Sequence, residues 1–179
     1  MTHQFRTTAL GALLASAVAL PAVAQDALPI AVQMYTLRDY GSLEEQLQAV
    51  EDAGVTAIET VGTHDVTAAE MTTLLEEYGI EVISSHVQLD ALREGVEDSV
   101  EFNKAIGNDT ITVPYLAEEQ RPTDAEGWRE LGEELAGIAE DLAEEDMRLA
   151  YHNHDFEMVE YDGQTALEIM FEAAGPEVL

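Results

Sequence analysis

Short apolar runs and amphipathic stretches alternate along the chain from residue 29 onward. The apolar runs are compact and are bounded by polar residues, glycine or proline, which is typical of strands buried in a sheet. We predict strands at residues 29–35, 55–61, 80–85, 110–113 and 147–151, and the start of a sixth strand at 176–179.

A stretch with helical periodicity follows each predicted strand. In a capping box, a Ser or Thr and a Glu three residues later satisfy each other's backbone N–H groups at the start of a helix. Three of the stretches begin with this pattern: Ser42 with Glu45, Thr67 with Glu70, and Thr123 with Glu126. We predict helices at 42–54, 67–79, 95–106, 123–145 and 165–173.

The repeated order of strand and helix indicates parallel strands joined by right-handed crossovers. An open doubly wound sheet and a TIM-type barrel both fit this order. No G-x-G-x-x-G motif follows the first strand, which disfavours the nucleotide-binding version of the open sheet. Polar or ionisable residues close nearly every strand, and in a barrel these ends share one mouth. We therefore predict an α/β protein with a TIM-type (β/α) barrel.

The predicted barrel is incomplete. A complete barrel has eight units and about 250 residues, whereas this chain of 179 residues holds about five βα units. We expect truncation of a longer barrel in preference to a natural half-barrel, since an open edge would expose unpaired backbone groups.

The first residues have the order of a secretory signal peptide. Arg6 supplies a positive charge, residues 9–20 are apolar, and Ala22-Val23-Ala24 offers a cleavage site. We predict a signal peptide at 1–24, a partial barrel domain at 25–179, and an exported, periplasmic or extracellular protein. A retained N-terminal anchor is the alternative; no later segment is apolar enough to cross a membrane.

The charge is strongly negative: 37 acidic residues stand against 7 basic ones, for a net charge of -30. Phosphate backbones and anionic membrane surfaces would be repelled, so we expect no nucleic-acid partner and, after signal cleavage, no membrane partner. The acids are spread along the predicted helices, which suggests a salt-adapted surface; an ordinary acidic protein is the alternative. The chain has no cysteine, so neither disulfides nor thiolates contribute.

The strongest candidate for chemistry is the segment that follows the fifth strand. Alternation along an extended chain puts His152 and His154 on one side and Asn153 on the other. Two imidazoles beside acidic residues suit a divalent metal or a paired acid/base role.

The segment at 149–157 (LAYHNHDFE) resembles the fifth-strand motif of the sugar phosphate isomerase/epimerase family, whose fold is a xylose isomerase-like TIM barrel. Four further stretches resemble the first four strand ends of that family, in order: 32–39 (VQMYTLRD), 58–62 (IETVG), 84–87 (SSHV) and 108–115 (NDTITVPY).

The resemblance implies one divalent metal ion at the barrel mouth: manganese, cobalt, magnesium or zinc. The usual ligands are a Glu on strand five and an Asp, a His and a Glu on later strands. His152 stands at the position of that first Glu, so the resemblance implies His152 as a metal ligand. The later ligands would lie beyond Leu179, and we expect this chain by itself not to turn over substrate.

Six further residues are candidates for the site. His154 would bind a substrate hydroxyl or shuttle a proton. Glu157 is a second catalytic candidate; the alternative is that Glu157 is an ordinary solvated acid. The other four are expected to contact substrate: Tyr35, Glu59, His86 and Tyr115. Their alternatives are rim packing for the tyrosines, a structural ion pair for Glu59, and capping or packing for His86. We interpret His64 as a solvated loop residue and Trp128 as a core residue.

We therefore expect a metal-dependent isomerase or epimerase, or a related lyase or hydrolase, whose partner is a small-molecule sugar or keto-sugar. Export argues against a phosphorylated substrate. The alternative is a non-catalytic periplasmic sugar-binding barrel. An endonuclease of the related barrel group is disfavoured by the charge and the export signal.

Overall fold

Five parallel strands lie in chain order in a single sheet in the computed structural model, which describes residues 30–179. They are β1 (Val32–Gln33), β2 (Ala57–Val61), β3 (Glu81–His86), β4 (Thr110–Val113) and β5 (Arg148–Tyr151). The α/β fold with a parallel sheet is thus as predicted, and its five strands follow one another in the order of a TIM-type barrel. The predicted signal peptide lies outside the described residues.

Six helices connect the strands and pack on one face of the sheet. They are α1 (Leu43–Asp52), α2 (Ala68–Tyr78), α3 (Leu89–Glu94), α4 (Glu97–Ala105), α5 (Ala125–Ala143) and α6 (Ala166–Ala174). A short antiparallel hairpin, β6 (Glu160–Tyr161) and β7 (Gln164–Thr165), lies between β5 and α6. None of the helices in this part of the chain is long and apolar enough to span a bilayer.

The helix starts test the capping predictions. The capping boxes of Ser42 and Thr67 are both confirmed, at the starts of α1 and α2. The expected cap at Thr123 is wrong: α5 begins one residue later, where Asp124 accepts a hydrogen bond from the backbone N of Gly127 at 2.9 Å. Aspartate is at least as good an N-cap as threonine, so the neighbouring carboxylate takes the position.

Two elements differ further from the prediction. The first strand is only two residues long, because Met34–Leu37 form a 3-10 turn that carries Tyr35 out of the sheet. The segment before the predicted third helix forms α3, and Gly95, with a φ of 144°, separates it from α4. Only glycine adopts that φ readily, which explains why one long helix does not form here.

The core divides into two clusters of buried residues between the sheet and the helices. One includes Ile58 of β2 and Met71 of α2. The other includes Ile111 of β4 and Trp128 of α5, whose side chain is 1% exposed, so the expected packing role of Trp128 is confirmed. Burial of apolar surface on this face leaves the opposite face of the sheet free to carry polar groups.

Helices α5 and α6 make their closest approach at Gly132. A Cβ atom added there would overlap the carbonyl oxygen of Met170 and would lie 2.8 Å from the Cβ of Ala173. The absence of a side chain at this position therefore allows the two helix backbones to touch.

A β-bulge in β3 changes which face of the sheet its following side chains occupy. Ile58 of β2 is in register with Val82, but Glu59 is in register with Ser84, so Ile83 is an additional residue. Val82 belongs to the helix-facing core. Ser84, two residues later, hydrogen-bonds Thr112 at 2.6 Å, on the other face of the sheet. Successive residues of a regular strand alternate, so without the bulge both side chains would point the same way.

The chain continues the sheet next to β5. Leu149 forms a parallel bridge with Val178, and the backbone N of Tyr151 donates to the carbonyl of Leu179 at 2.9 Å. The predicted start of a sixth strand is confirmed.

Candidate metal centre at the mouth of the barrel

The carboxyl ends of the strands border a cavity of about 400 Å³. Nine residues line it: Gln33, Tyr35, Val61, His86, Gln88, Pro114, Tyr115, His152 and His154. Five of them are site residues predicted from the sequence. A larger groove of about 1020 Å³ runs along the outside of α1, but no imidazole lines it. The chemistry-bearing residues converge on the smaller cavity.

Glu59 and His86 form a close pair at the floor of this site. Oε1 of Glu59, at the end of β2, lies 2.7 Å from Nε2 of the buried His86, at the end of β3. The ring nitrogen nevertheless has no well-aligned hydrogen-bond partner among the described residues.

His152 completes a group of three potential metal ligands. One ligand atom each from Glu59, His86 and His152 can be chosen so that all three lie within 4.8 Å of one another. Two imidazole nitrogens and a carboxylate oxygen suit zinc and related divalent ions, which hold such ligands at about 2 Å. Ligand atoms held about 2 Å from one ion lie roughly 3–4 Å apart, so the spacing and the chemistry of these three residues fit a metal ion.

The protonation of the group also suits a metal. Burial raises the pKa of Glu59, but its interactions with His86, Ser84 and Gln33 lower it more, so the pKa lies below its usual value. Burial, together with the neighbouring imidazoles of His154 and His86, lowers the pKa of His152. An ionised carboxylate and a neutral imidazole are the forms that bind metals.

Gln33 supports the group from β1. Its Nε2 atom lies 3.4 Å from Nδ1 of His152. A partner on one ring nitrogen of a ligating histidine orients the ring and fixes which nitrogen faces the metal. Gln33 is therefore placed to orient His152.

The side chains after β5 form a row of parallel rings. The centroids of His152 and His154 are 4.7 Å apart, and those of His154 and Phe156 are 5.7 Å apart, with interplanar angles of 7° and 5°. Tyr115 meets His154 edge-on at 5.0 Å. The extended segment after β5 puts His152 and His154 on one side, and the 3-10 turn that begins at Phe156 places the ring of Phe156 beside His154.

Arg121 lies at the outer end of this row. Its guanidinium carbon is 3.8 Å from the centre of the Phe156 ring. It also donates a hydrogen bond from Nη2 to the hydroxyl of Tyr115, which lines the cavity. The mouth of the site thus carries a positive charge next to its aromatic wall.

Glu157 is fully buried and holds the loop after β5. One carboxylate oxygen accepts from the hydroxyl of Tyr151 and the other accepts from the backbone N of His154, both at 2.7 Å. Burial and the bond to Glu157 raise the pKa of Tyr151 well above its usual value. The alternative of a solvated acid is wrong for Glu157. Its catalytic role stays a prediction, and the contacts assign it a positioning role for His154.

The structure brings most of the predicted site residues together. Tyr35, His86, Tyr115, His152 and His154 line the cavity, and Glu59 contacts His86 at its floor. His64 lies apart from them in the loop after β2. It is half-buried and accepts a hydrogen bond from the backbone N of Val61 at 3.2 Å, so the expectation that it is solvated is wrong.

Two residues next to the cavity, Arg121 and Phe156, are not among the site residues predicted from the sequence. Phe156 continues the i, i+2 spacing of the two histidines, a signal that was present in the sequence. Arg121 is one of only 7 basic residues, and it follows the fourth strand end; that scarcity is the signal that singles it out.

Comparisons with known proteins agree with this architecture. A family model described as a xylose isomerase-like TIM barrel matches residues 47–178. No curated protein matches the chain. Three similar solved structures are a sugar phosphate isomerase/epimerase from Parabacteroides distasonis (17% identity, TM-score 0.72), a xylose isomerase domain-containing protein from Salmonella typhimurium (15%, 0.57), and the IolI protein with a bound zinc atom (14%, 0.60).

These similarities extend over most of this chain but only part of each relative. They cover 88%, 83% and 84% of this chain, and 66%, 58% and 61% of the three relatives in the same order. At such low identities the structures show a shared fold and do not transfer a substrate.

Proposed function

The chain belongs to the xylose isomerase-like TIM barrel family, and from that premise we propose that it serves metal-dependent proton transfer on a sugar or keto-sugar, as in an isomerase, an epimerase or a related lyase or hydrolase. The observation that carries the proposal is the convergence of Glu59, His86 and His152, with ligand atoms within 4.8 Å of one another, beside a cavity of about 400 Å³. Export, indicated by residues 1–24, is part of the proposal and is tested by N-terminal sequencing for a mature chain that begins at Gln25.

The proposed ligands are Glu59, His86 and His152, with Gln33 orienting His152. A bound divalent ion would supply a Lewis acid that polarises a carbonyl or hydroxyl oxygen of the substrate. Because its pKa is depressed, Glu59 is ionised at neutral pH and is a weak base, which suits a ligand better than a proton acceptor.

His154 is the proposed proton carrier. It lines the cavity, and its Nδ1 atom is buried with no hydrogen-bond partner among the described residues. An imidazole nitrogen without a partner can accept a proton from a carbon next to a carbonyl and return it to the neighbouring carbon. The bond between Glu157 and the backbone N of His154 holds the residue at the cavity.

Tyr35 and Tyr115 are the proposed walls for the sugar. Both line the cavity, and they are 51% and 42% exposed, so each presents a ring face or edge to a ligand. Their hydroxyl groups can hydrogen-bond sugar hydroxyls, and their rings cover the apolar face of a sugar ring.

Metal titration tests the proposal. The full chain, freed of metal by a chelator, is titrated calorimetrically with Zn²⁺ and Mn²⁺. We expect one ion per chain and a loss of affinity of about tenfold or more in His152→Ala and Glu59→Gln, since each loses a direct ligand. His64→Ala is the matched control and should bind as the wild type does. A wild-type chain that binds no ion contradicts the proposal, and sugar binding without metal would favour the non-catalytic alternative.

A further inference from the structure

Arg121 differs from every other basic side chain in the described part of the molecule. Arg38, Arg93, Lys104, Arg129 and Arg148 each have a carboxylate within 4.0 Å. Among the arginines and lysines of residues 30–179, Arg121 alone has no carboxylate within 4.0 Å, although the chain carries 37 acidic residues. A cation that stays without a carboxylate on so acidic a protein is free to bind an anion from outside.

The guanidinium of Arg121 is fixed in place. Its Nε donates to the carbonyl of Leu116 at 3.0 Å, and its Nη2 donates to the hydroxyl of Tyr115. The plane of Phe156 lies below it. A donor group that is already held in position loses little conformational entropy when a ligand binds.

Hydrogen-bonding capacity remains on this fixed group. A guanidinium has five N–H donors, and Leu116 and Tyr115 take two of them. The remaining donors include both N–H groups of Nη1. Arginine donors of this kind suit carboxylate and phosphate oxygens, which can accept two parallel hydrogen bonds.

The position of Arg121 links it to the proposed sugar site. It contacts Tyr115, which lines the cavity, and Phe156, which stacks on His154 of the cavity wall. A ligand in the cavity that covers Tyr115 would reach the guanidinium with a group at its outer end.

We propose that Arg121 binds an oxyanion group of the substrate, so that the ligand of this site is an acidic sugar, and export of the protein favours a carboxylate over a phosphate ester as that group. The inference rests on the proposed function, because it takes a sugar as the occupant of the cavity. A neutral sugar would have no need of an unpaired cation, whereas an acidic one needs a local positive charge to offset the repulsion of a protein with a net charge of -30.

Binding of matched acidic and neutral sugars tests the inference. The full chain, loaded with Zn²⁺, is titrated calorimetrically with D-glucuronate, D-glucose 6-phosphate and D-glucose at one ionic strength. We expect at least one of the acids to bind about tenfold more tightly than glucose, as expected for a charged hydrogen bond. The tighter of the two acids identifies the carboxylate or the phosphate as the group recognised.

Three variants separate recognition from structure. Arg121→Gln should lose the preference for the acid while it binds glucose as the wild type does. Arg129→Gln removes the same charge from an arginine that is paired with Glu126, and it should keep the preference. If Arg121→Gln also loses glucose binding, Arg121→Lys decides: a partly retained preference for the acid supports the inference.

Equal binding of acids and glucose, no binding of either acid, or an unchanged preference in Arg121→Gln would overturn the inference. A wild-type chain that binds Zn²⁺ but shows no preference for acids overturns this inference alone. A chain that binds no metal overturns the proposed function, and its affinity for acidic sugars is then measured without metal.

Discussion

At the scale of single residues, the site depends on a carboxylate that does not line it. Glu157 is fully buried, and its two oxygens hold the Tyr151 hydroxyl and the backbone N of His154. A buried charge needs such donors, because the loss of solvation is otherwise very unfavourable. Tyr151 and Glu157 therefore act together to fix His154 at the cavity.

Tyr151→Phe should lower the free energy of unfolding by about 1–3 kcal/mol, because a buried carboxylate loses one of its donors. Tyr161→Phe is the matched control; that hydroxyl has no hydrogen bond to a described residue, and the variant should be near neutral. Denaturant unfolding of the three proteins checks the difference. Equal losses in both variants would contradict the role assigned to the Tyr151 hydroxyl.

The same pair predicts a pH effect. The pKa of Tyr151 in the folded state is raised above the usual value of 10.0. The neutral hydroxyl therefore adds to the free energy of unfolding below pH 10.0, and this stabilisation is lost as the pH rises towards the folded-state pKa. In Tyr151→Phe this part of the alkaline loss should be missing when the unfolding curves are repeated at alkaline pH.

The meeting of Glu59, His86 and His152 was predictable because the ends of parallel strands share one edge of the sheet. The isolation of Arg121 was not. It depends on where every acidic side chain lies in space, and local sequence carries no such information. The burial of Glu157 was missed for a related reason: an acid in a loop after a strand has the sequence pattern of a solvated residue.

At the scale of elements, local capping chemistry predicted helix starts well, and short-range competition limited it. Thr123 and Asp124 are adjacent and both are good N-caps. Because Asp is preferred to Thr at the N-cap, the helix starts one residue later than predicted. The 3-10 turn after β1 and the hairpin β6–β7 are too short to leave a periodic pattern. Such elements are set by the surrounding structure.

The contact between α5 and α6 gives a test at this scale. Gly132→Ala should lower the free energy of unfolding by about 1–3 kcal/mol, because its methyl group would overlap the Met170 backbone. Gly137→Ala, in the same helix with no atom near its Cβ position, should instead raise it by roughly 0.5–1 kcal/mol. Unfolding curves that shift in the same direction for both variants would contradict this packing.

At the scale of the whole molecule, charge and topology act separately. The strand–helix order predicted the parallel sheet, and the net charge of -30 is carried largely by the solvent side of the helices. Repulsion among these charges opposes the compact state, and salt screens it; the Debye length falls from about 10 Å at 0.1 M to about 3 Å at 1 M.

The melting temperature should therefore rise between low and molar potassium chloride. A stabilisation of about 1 kcal/mol would raise it by roughly 2–4 °C in a protein of this size. Thermal unfolding followed by circular dichroism measures the shift. A melting temperature that stays constant or falls over this range would mean that the surface is not adapted to salt.

The additional residue in β3 has a genetic consequence. At position 83 the side chain is 49% exposed, so mutations that replace isoleucine are expected to be tolerated. Deletion of the codon for residue 83 would move the side chains of the rest of β3 to the opposite face of the sheet and would turn His86 away from Glu59. The number of residues between Val82 and His86 therefore matters more to the site than the identity of the residue at position 83.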